Sequence, residues 1–268
     1  MIVVVLVKYL PEATLEDLKL DNTFFIFLLA GFLAQIIDGA LGMAYGVTSN
    51  TVLLGFGLSP RLASAAVHTA EVFTTGVSGL SHIQFGNFDK SLFFKLLIPG
   101  VVSASIGAFL LGSIIDGNVI KPFINIYLMA LGILILFKSF KKKNTERTNL
   151  SKAPIYALFG GFLDAIGGGG WGPIVTSNLI REGNRPNIII GTVNTAEFFV
   201  TYVTAGILIF FTGISSWQII LGLVLGGTMA APLGAYITKR VPPKTMMVMV
   251  GVLIVLTSAY SLVRTLFY

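Results

Sequence analysis

Apolar residues dominate this chain in eight long stretches that short polar connections separate. The stretches cover residues 24–57, 62–82, 92–115, 123–137, 154–180, 188–212, 217–238 and 246–267. A helix that crosses a bilayer needs about 20 mostly apolar residues, so most of these lengths predict spanning helices. The stretches 24–57 and 154–180 are too long for one comfortable crossing, and glycines interrupt both. We therefore predict two short helices or a broken hairpin in each of them.

Composition supports a membrane environment. Hydrophobic residues make up 54% of the 268 positions and charged residues only 11%, and the mean hydropathy is +0.86. A soluble domain carries about 25% charged residues, because its surface must be hydrated. The lipid bilayer is therefore the predicted surroundings, and the 30 glycines suit membrane helices that pack closely.

The two halves of the chain resemble each other at an offset of 126 residues. When 38–77 is compared with 164–203, 13 of 40 positions are identical, including Asp38 with Asp164 and Glu71 with Glu197. Chance similarity between apolar helices exchanges Leu for Ile but does not align acidic residues. We predict an all-α polytopic membrane protein of two repeats, each a broken-helix hairpin plus about three spanning helices.

Positive charge predicts the orientation. A loop at 139–152 separates the first repeat (23–138) from the second (153–268), and an acidic extension (1–22) precedes them. Basic residues mark the loop and its edge, namely Lys138, Lys141, Lys142, Lys143, Arg147 and Lys152. Basic connections stay cytoplasmic, so we predict the loop inside and the N-terminus outside a plasma membrane. An odd number of crossings in each half would then invert the second repeat relative to the first.

The glycine-rich breaks are the first candidate site. They read DGALGMAYG from Asp38 and DAIGGGGWG from Asp164, and each glycine weakens a helix by about 1 kcal/mol relative to alanine. We predict that unwound backbone N–H groups and half-helix N-termini bind an anion there. Close helix packing through small residues is the alternative. The candidate residues in the breaks are Gly42, Tyr45, Gly46, Gly168, Gly169, Gly170 and Trp171.

Polar side chains after each break extend this candidate site. They are Thr48, Ser49 and Asn50 in the first half and Thr176 and Ser177, followed by Asn178, in the second. Hydroxyl and amide groups donate to sulfonate or carboxylate oxygens. The alternative is that the hydroxyl groups bond back to a carbonyl one turn earlier.

A polar stripe follows in each half. His68, Glu71, Thr75, Ser78 and His82 recur at spacings of three and four, and Asn194, Glu197, Thr201 and Thr204 repeat the pattern. Such spacing places them on one helix face. A carboxylate at membrane depth costs at least ~2.5 kcal/mol, so the stripe should line an interior cavity. We assign His68 and Asn194 to substrate binding, and Asp38, Glu71, Asp164 and Glu197 to either proton coupling or structure.

Several classes of function are disfavoured. Without cysteine there is no disulfide, zinc cluster or thiol nucleophile, and we predict no metal and no cofactor. No extended basic face indicates nucleic acid, and no Gly-rich loop continues into Lys-Ser/Thr as a nucleotide-binding loop does. Asp38 and Asp164 could form a protease pair, but each opens a break as a helix cap would. We predict that the protein is not an enzyme.

At these residues the chain resembles the TauE/SafE family of sulfite exporters, also called the toluene-sulfonate uptake permease family. The resemblance rests on GALGMAYG and GGGGWG, on the segments HTAE and NTAE that follow them, and on the basic central loop. It implies a plasma-membrane carrier for sulfite, organosulfonates or related anions, driven by an ion gradient. It also implies that the substrate lies near residues 42–50 and 168–177, His68 and Asn194. The first break departs from the family pattern in having fewer glycines.

The leading hypothesis is a secondary transporter that moves a small anion by alternating access between the repeats. An anion channel is the second interpretation, because the same broken helices could line a pore. An intramembrane enzyme is the third. The sequence pattern leaves open whether the protein is a monomer or a homo-oligomer.

Overall fold

The computed structural model describes residues 20–140, 150–182, 186–213, 217–237 and 243–267, and these residues contain helices and no strand. The helices are α1 (Asn22–Leu41), α2 (Tyr45–Gly55), α3 (Pro60–Gln84), α4 (Lys90–Phe109), α5 (Gly117–Phe140), α6 (Ala153–Gly167), α7 (Ser177–Arg181), α8 (Pro186–Thr212), α9 (Trp217–Ile237) and α10 (Pro243–Phe267). A π-helical turn, Leu110–Ile114, extends α4, and another, Gly172–Thr176, leads into α7. The all-α prediction is confirmed. Residues 1–19 of the predicted extension and 141–149 of the basic loop lie outside the described residues.

Local sequence signals set several helix ends. The Asp21 carboxylate accepts hydrogen bonds from the N–H groups of Thr23 and Phe24, at 2.8 and 3.2 Å, at the start of α1. Ser59 precedes Pro60 at the start of α3, and Asp89 caps α4 through the N–H of Leu92 at 2.8 Å. Such caps satisfy N–H groups that have no partner within the helix.

Five described helices are long and apolar enough to cross a membrane. The candidate spans are Asn22–Gly39, Lys90–Ile114, Val119–Phe140, Asn187–Thr212 and Met247–Phe267. Their outer faces carry large exposed apolar side chains such as Phe25, Ile98 and Leu256. An apolar surface of this extent suits lipid and not water. Helix α3 is 25 residues long but is not among the five, since it carries the polar stripe.

The most extensive helix contacts follow the offset between the halves. Helix α1 packs on α9 and α4 packs on α6, while α3 packs on α8 and α5 packs on α10. Exchanging each helix for its counterpart in the other half turns α1–α9 into α6–α4 and leaves the other two pairs unchanged. This pattern of contacts is expected for two related halves arranged around a pseudo-twofold axis. In such an arrangement the first helix of each half packs against the other half.

The two breaks cross at the junction between the halves. A Cβ atom added to Gly46 would lie 3.1 Å from the carbonyl oxygen of Gly168 and 3.3 Å from Cα of Gly169. A Cβ atom on Gly172 would lie 2.8 Å from the carbonyl carbon of Met43. The backbones of the two breaks therefore pack directly on each other. A residue larger than glycine at these positions would prevent this contact.

The predicted orientation can be tested with single cysteines, because the chain has none of its own. Cysteine in place of Asp116, which is exposed in the connection before α5, should react with a membrane-impermeant maleimide in intact cells. Cysteine in place of Asn144, in the basic loop, should react only after the cells are opened, because a basic loop stays inside. Equal labelling of both positions in intact cells would contradict the orientation.

Candidate functional site

The two breaks share one backbone geometry. Helix α1 ends at Leu41 and Gly42 follows with φ 65°, while α6 ends at Gly167 and Gly168 follows with φ 63°. The N–H of Gly42 donates to the Asp38 carbonyl at 2.5 Å, and the N–H of Gly168 donates to the Asp164 carbonyl at 2.6 Å. Glycine adopts this left-handed conformation without a Cβ penalty, so the glycines end both helices in the same way.

The aspartates cap the segment that follows each break. Oδ1 of Asp38 accepts from the N–H groups of Ala44 at 2.8 Å and Tyr45 at 3.2 Å. Oδ1 of Asp164 accepts from the N–H groups of Gly170 at 2.6 Å and Trp171 at 3.1 Å. A carboxylate of the chain itself therefore occupies the N–H groups at which we predicted an external anion. In this conformation these four N–H groups are already satisfied.

A small cavity lies where the breaks meet. Its volume is about 10 Å³, and its polar lining includes the side chains of Asp38, Tyr45, Glu71, Asp164 and Glu197. All four carboxylic acids are buried, and no lysine or arginine contributes to this lining within the described part of the chain. A volume of this size holds about one water molecule. The fold thus gathers four acidic groups, two from each half, around a site for a single small species.

The predicted site residues divide between this cavity and its surroundings. Besides the four acids, the cavity lining includes the predicted residues Tyr45, Gly46, Gly169 and Gly170. The others lie outside this lining, namely Gly42, Thr48, Ser49, Asn50, His68, Gly168, Trp171, Thr176, Ser177 and Asn194. Trp171 packs its ring on Gly100, and the Asn194 amide donates to Ser78 Oγ at 2.8 Å.

The polar residues after the breaks behave in two ways. The hydroxyl groups of Thr48, Ser49 and Thr176 are buried and have no hydrogen-bond partner among the described residues. Ser177 instead donates to the Pro173 carbonyl and accepts from the Lys138 ammonium at 2.6 Å. The alternative of bonding back to the preceding turn therefore applies to Ser177 but not to the three unpartnered hydroxyls.

Only part of the polar stripe reaches the cavity. Glu71 and Glu197 line it, whereas the hydroxyl of Thr75 bonds to the Glu71 carbonyl at 2.5 Å and that of Thr201 to the Glu197 carbonyl at 2.9 Å. These threonines satisfy their hydroxyl groups within their own helix. The stripe is therefore a mixture of cavity-lining carboxyl groups and locally bonded hydroxyls.

His68 joins the two halves. Its Nε2 lies 3.1 Å from Oδ2 of Asp164, and its Nδ1 lies 2.7 Å from the carbonyl oxygen of Ser64. The Ser64 hydroxyl donates to the carbonyl of Ala165 at 2.8 Å. The side chains of Ser64 and His68, one turn apart on α3, therefore both bind α6 of the other half.

Three contacts at the breaks involve residues that the sequence analysis did not assign to the site. Ser64 lies four residues before His68 on the same helix face, so the spacing of the stripe could have included it. Tyr127 donates to the carbonyl of Gly169 at 3.0 Å, and nothing in its apolar stretch indicates this. Lys138 was predicted at the edge of the basic loop, but its ammonium reaches Ser177 and the carbonyl of Pro173, the latter at 3.2 Å.

Comparison with known proteins identifies the family of this chain. Residues 27–261 match the family described as sulfite exporter TauE/SafE. The chain is 43% identical over 249 residues to the "Probable membrane transporter protein YtnM" of Bacillus subtilis (strain 168). The aligned region covers 89% of this chain and 82% of that relative. No solved structure matches the chain significantly. This protein belongs to the sulfite exporter TauE/SafE family and is a polytopic membrane protein of the transporter class.

Proposed function

We propose that the protein is a secondary transporter that carries a small anion, such as sulfite or an organosulfonate, across the plasma membrane. The observation that carries the proposal is the crossing of two matched breaks, one from each half, at a single small cavity. Transporters built from repeats bind substrate at the repeat interface, where discontinuous helices expose backbone groups. The same position is therefore the substrate site in this proposal.

The size of the cavity fits one stage of an alternating-access cycle. At about 10 Å³ it is too small for any of these anions, since it holds about one water molecule. Substrate can enter only when the two breaks separate. The backbone surfaces that meet at the crossing are lined by glycines and carry few side chains. The two halves can therefore separate there without disrupting many side-chain contacts.

Neutral hydroxyl groups supply donors for the anion. The hydroxyls of Thr48 and Ser49 in the first half, and of Thr176 in the second, are buried without a partner among the described residues. Leaving a buried polar group without a hydrogen-bond partner costs about 1–3 kcal/mol of stability. A ligand that accepts a hydrogen bond from such a group removes this cost, which favours binding. Sulfonate and carboxylate oxygens accept such bonds.

The first experiment is a binding screen followed by a transport assay. Purified protein is heated with sulfite, sulfate, thiosulfate, sulfoacetate, taurine or simple carboxylates, and the apparent unfolding temperature is recorded. A binding anion stabilises the folded state, so its unfolding temperature rises with concentration. The anion that binds is then loaded into proteoliposomes to measure saturable exchange. Single-channel currents would instead support a channel, and no response to any anion would contradict the proposed substrate class.

Replacing Thr48 by valine should weaken anion binding about tenfold while the protein stays folded. Valine keeps the shape of threonine but removes the free hydroxyl, and one hydrogen bond to a charged ligand contributes about 1.5–3 kcal/mol. The measurement is the dissociation constant for the anion found in the screen.

Thr51→Val is the matched control for this change. Thr51 is buried in the same helix, but its hydroxyl already donates to the carbonyl of Val47 at 2.6 Å. Its replacement should leave the dissociation constant within about twofold. Equal weakening in both variants would show that the free hydroxyl of Thr48 does not contact the anion.

A further inference from the structure

The hydrogen bonding of His68 determines which of its nitrogens carries a proton. Nδ1 lies 2.7 Å from the backbone carbonyl oxygen of Ser64. A carbonyl can only accept, so Nδ1–H is the donor and the neutral ring has its lone pair on Nε2. That lone pair faces Oδ2 of Asp164 at 3.1 Å. Two electron-rich atoms at this distance need a positive species, which is either a proton on Nε2 or a metal ion that both atoms bind.

Glu71 brings a third donor atom to the same place. Donor atoms of His68, Glu71 and Asp164 all lie within 4.8 Å of one another, and the three residues are 0%, 2% and 2% exposed. Oε2 of Glu71 is buried and has no hydrogen-bond partner among the described residues, and the residue lines the central cavity. Such a group in a protein interior is either protonated or has its charge offset by a ligand.

We propose that His68, Glu71 and Asp164 bind one divalent transition-metal ion at the junction between the two halves. An imidazole with two carboxylates is a ligand set that such ions accept. Neighbouring ligand atoms about 2.1 Å from an ion lie about 3 Å apart or slightly more, and the separation of 3.1 Å between Nε2 and Oδ2 fits. The bond from Nδ1 to the Ser64 carbonyl is the outer contact that fixes a metal-binding histidine.

The ion also supplies a charge that the proposed anion needs, and this part rests on the proposed function. The cavity is lined by four carboxylic acids and no basic side chain from the described residues. Like charges gathered in a protein interior repel one another, because the effective dielectric there is well below that of water. A divalent cation among the carboxylates offsets this repulsion. In the proposed cycle an anion then binds beside the metal, between the breaks.

The test uses the purified full-length protein after treatment with a chelator. Co²⁺ is titrated while its visible absorption is recorded, because the spectrum reports imidazole and carboxylate ligands directly. Zn²⁺ is titrated by calorimetry, and Mg²⁺ serves as an ion that prefers oxygen ligands and water. We expect one Co²⁺ or Zn²⁺ per chain and weak binding of Mg²⁺.

The variants separate metal binding from a general effect of charge. His68→Gln and Glu71→Gln should each weaken Co²⁺ binding at least 100-fold and change the spectrum. Glu197→Gln is the matched control, since Glu197 occupies the equivalent position in the second half and lines the same cavity but lies outside the three-residue group. It should weaken Co²⁺ binding by less than about tenfold and leave the spectrum unchanged, because it removes a nearby charge but no ligand.

Absence of stoichiometric Co²⁺ or Zn²⁺ binding to the wild-type protein would overturn the proposal, because it would leave only a proton between His68 and Asp164. Unchanged affinity in a folded Glu71→Gln variant would overturn it as well. The anion screen is repeated on chelator-treated protein, and its result is interpreted independently of the metal titration. Anion binding without metal binding contradicts this inference alone, whereas metal binding without any anion response contradicts the proposed substrate.

Discussion

Replacing Gly172 by alanine is expected to abolish transport, even when the protein inserts in the membrane. The added Cβ atom would lie 2.8 Å from the carbonyl carbon of Met43 in the opposite break. Backbone cannot move aside as a flexible side chain does, and overpacking of a buried contact costs about 1–3 kcal/mol. The breaks could then no longer close on each other, so the cycle should stop in an open state. Uptake into proteoliposomes at matched protein amounts is the measurement.

Gly206→Ala provides the control for this substitution. Gly206 lies in α8, and an added Cβ atom there meets no atom within 4 Å. Because alanine favours the helix over glycine, this variant should be as stable as the wild type or slightly more so. Normal uptake by Gly172→Ala would show that the crossing of the breaks does not need to close during transport.

Asp164→Ala is expected to lower the apparent unfolding temperature more than Asp38→Ala. Both changes remove a cap from the segment after a break, a loss of about 0.5–2 kcal/mol. Asp164 also pairs with His68 across the halves, and no such side-chain partner of Asp38 is seen among the described residues. Removing one member of a buried pair costs about 3–5 kcal/mol. Thermal unfolding of the purified variants measures the difference.

The asparagine variants complete this comparison. An asparagine side chain keeps an oxygen that can accept the two backbone N–H groups, so Asp38→Asn should recover most of the stability that Asp38→Ala loses. Asp164→Asn should recover less, because it loses the charge beside His68. Equal unfolding temperatures for Asp38→Ala and Asp164→Ala would show that the bond between Asp164 and His68 contributes nothing to stability.

The broken helices could be predicted because their causes are local. Asp, a run of small residues and glycine in a fixed order are visible in the sequence, and the duplication shows that Asp38 and Asp164 have equivalent positions. The structure ends α1 and α6 at these points, with Gly42 and Gly168 in the same left-handed conformation. Which backbone groups those aspartates bind could not be read from the sequence. The capped N–H groups lie six and seven residues ahead, beyond the reach of an ordinary helix cap.

The partner of His68 illustrates what sequence reasoning could not supply. Asp164 lies 96 residues away from it, and a helical period relates only neighbours three and four positions apart. The same limit applies to Thr48 and Thr51, which look alike in the sequence although one hydroxyl is free and the other is bonded. Contacts between distant segments depend on how the helices are arranged, and no local pattern encodes that arrangement.

By itself, the sequence determined the all-helical membrane character, the duplication, the two breaks and the family. These follow from residue type and spacing, because lipid selects apolar helices of sufficient length and glycine weakens them locally. Only the tertiary structure decided that four acids from both halves share one cavity of about 10 Å³. It also decided that chain carboxylates occupy the helix starts. The shared cavity depends on the packing of α3 on α8 and on the crossing of the breaks, which bring residues far apart in the chain into contact. Each cap depends instead on how the chain turns within its own break.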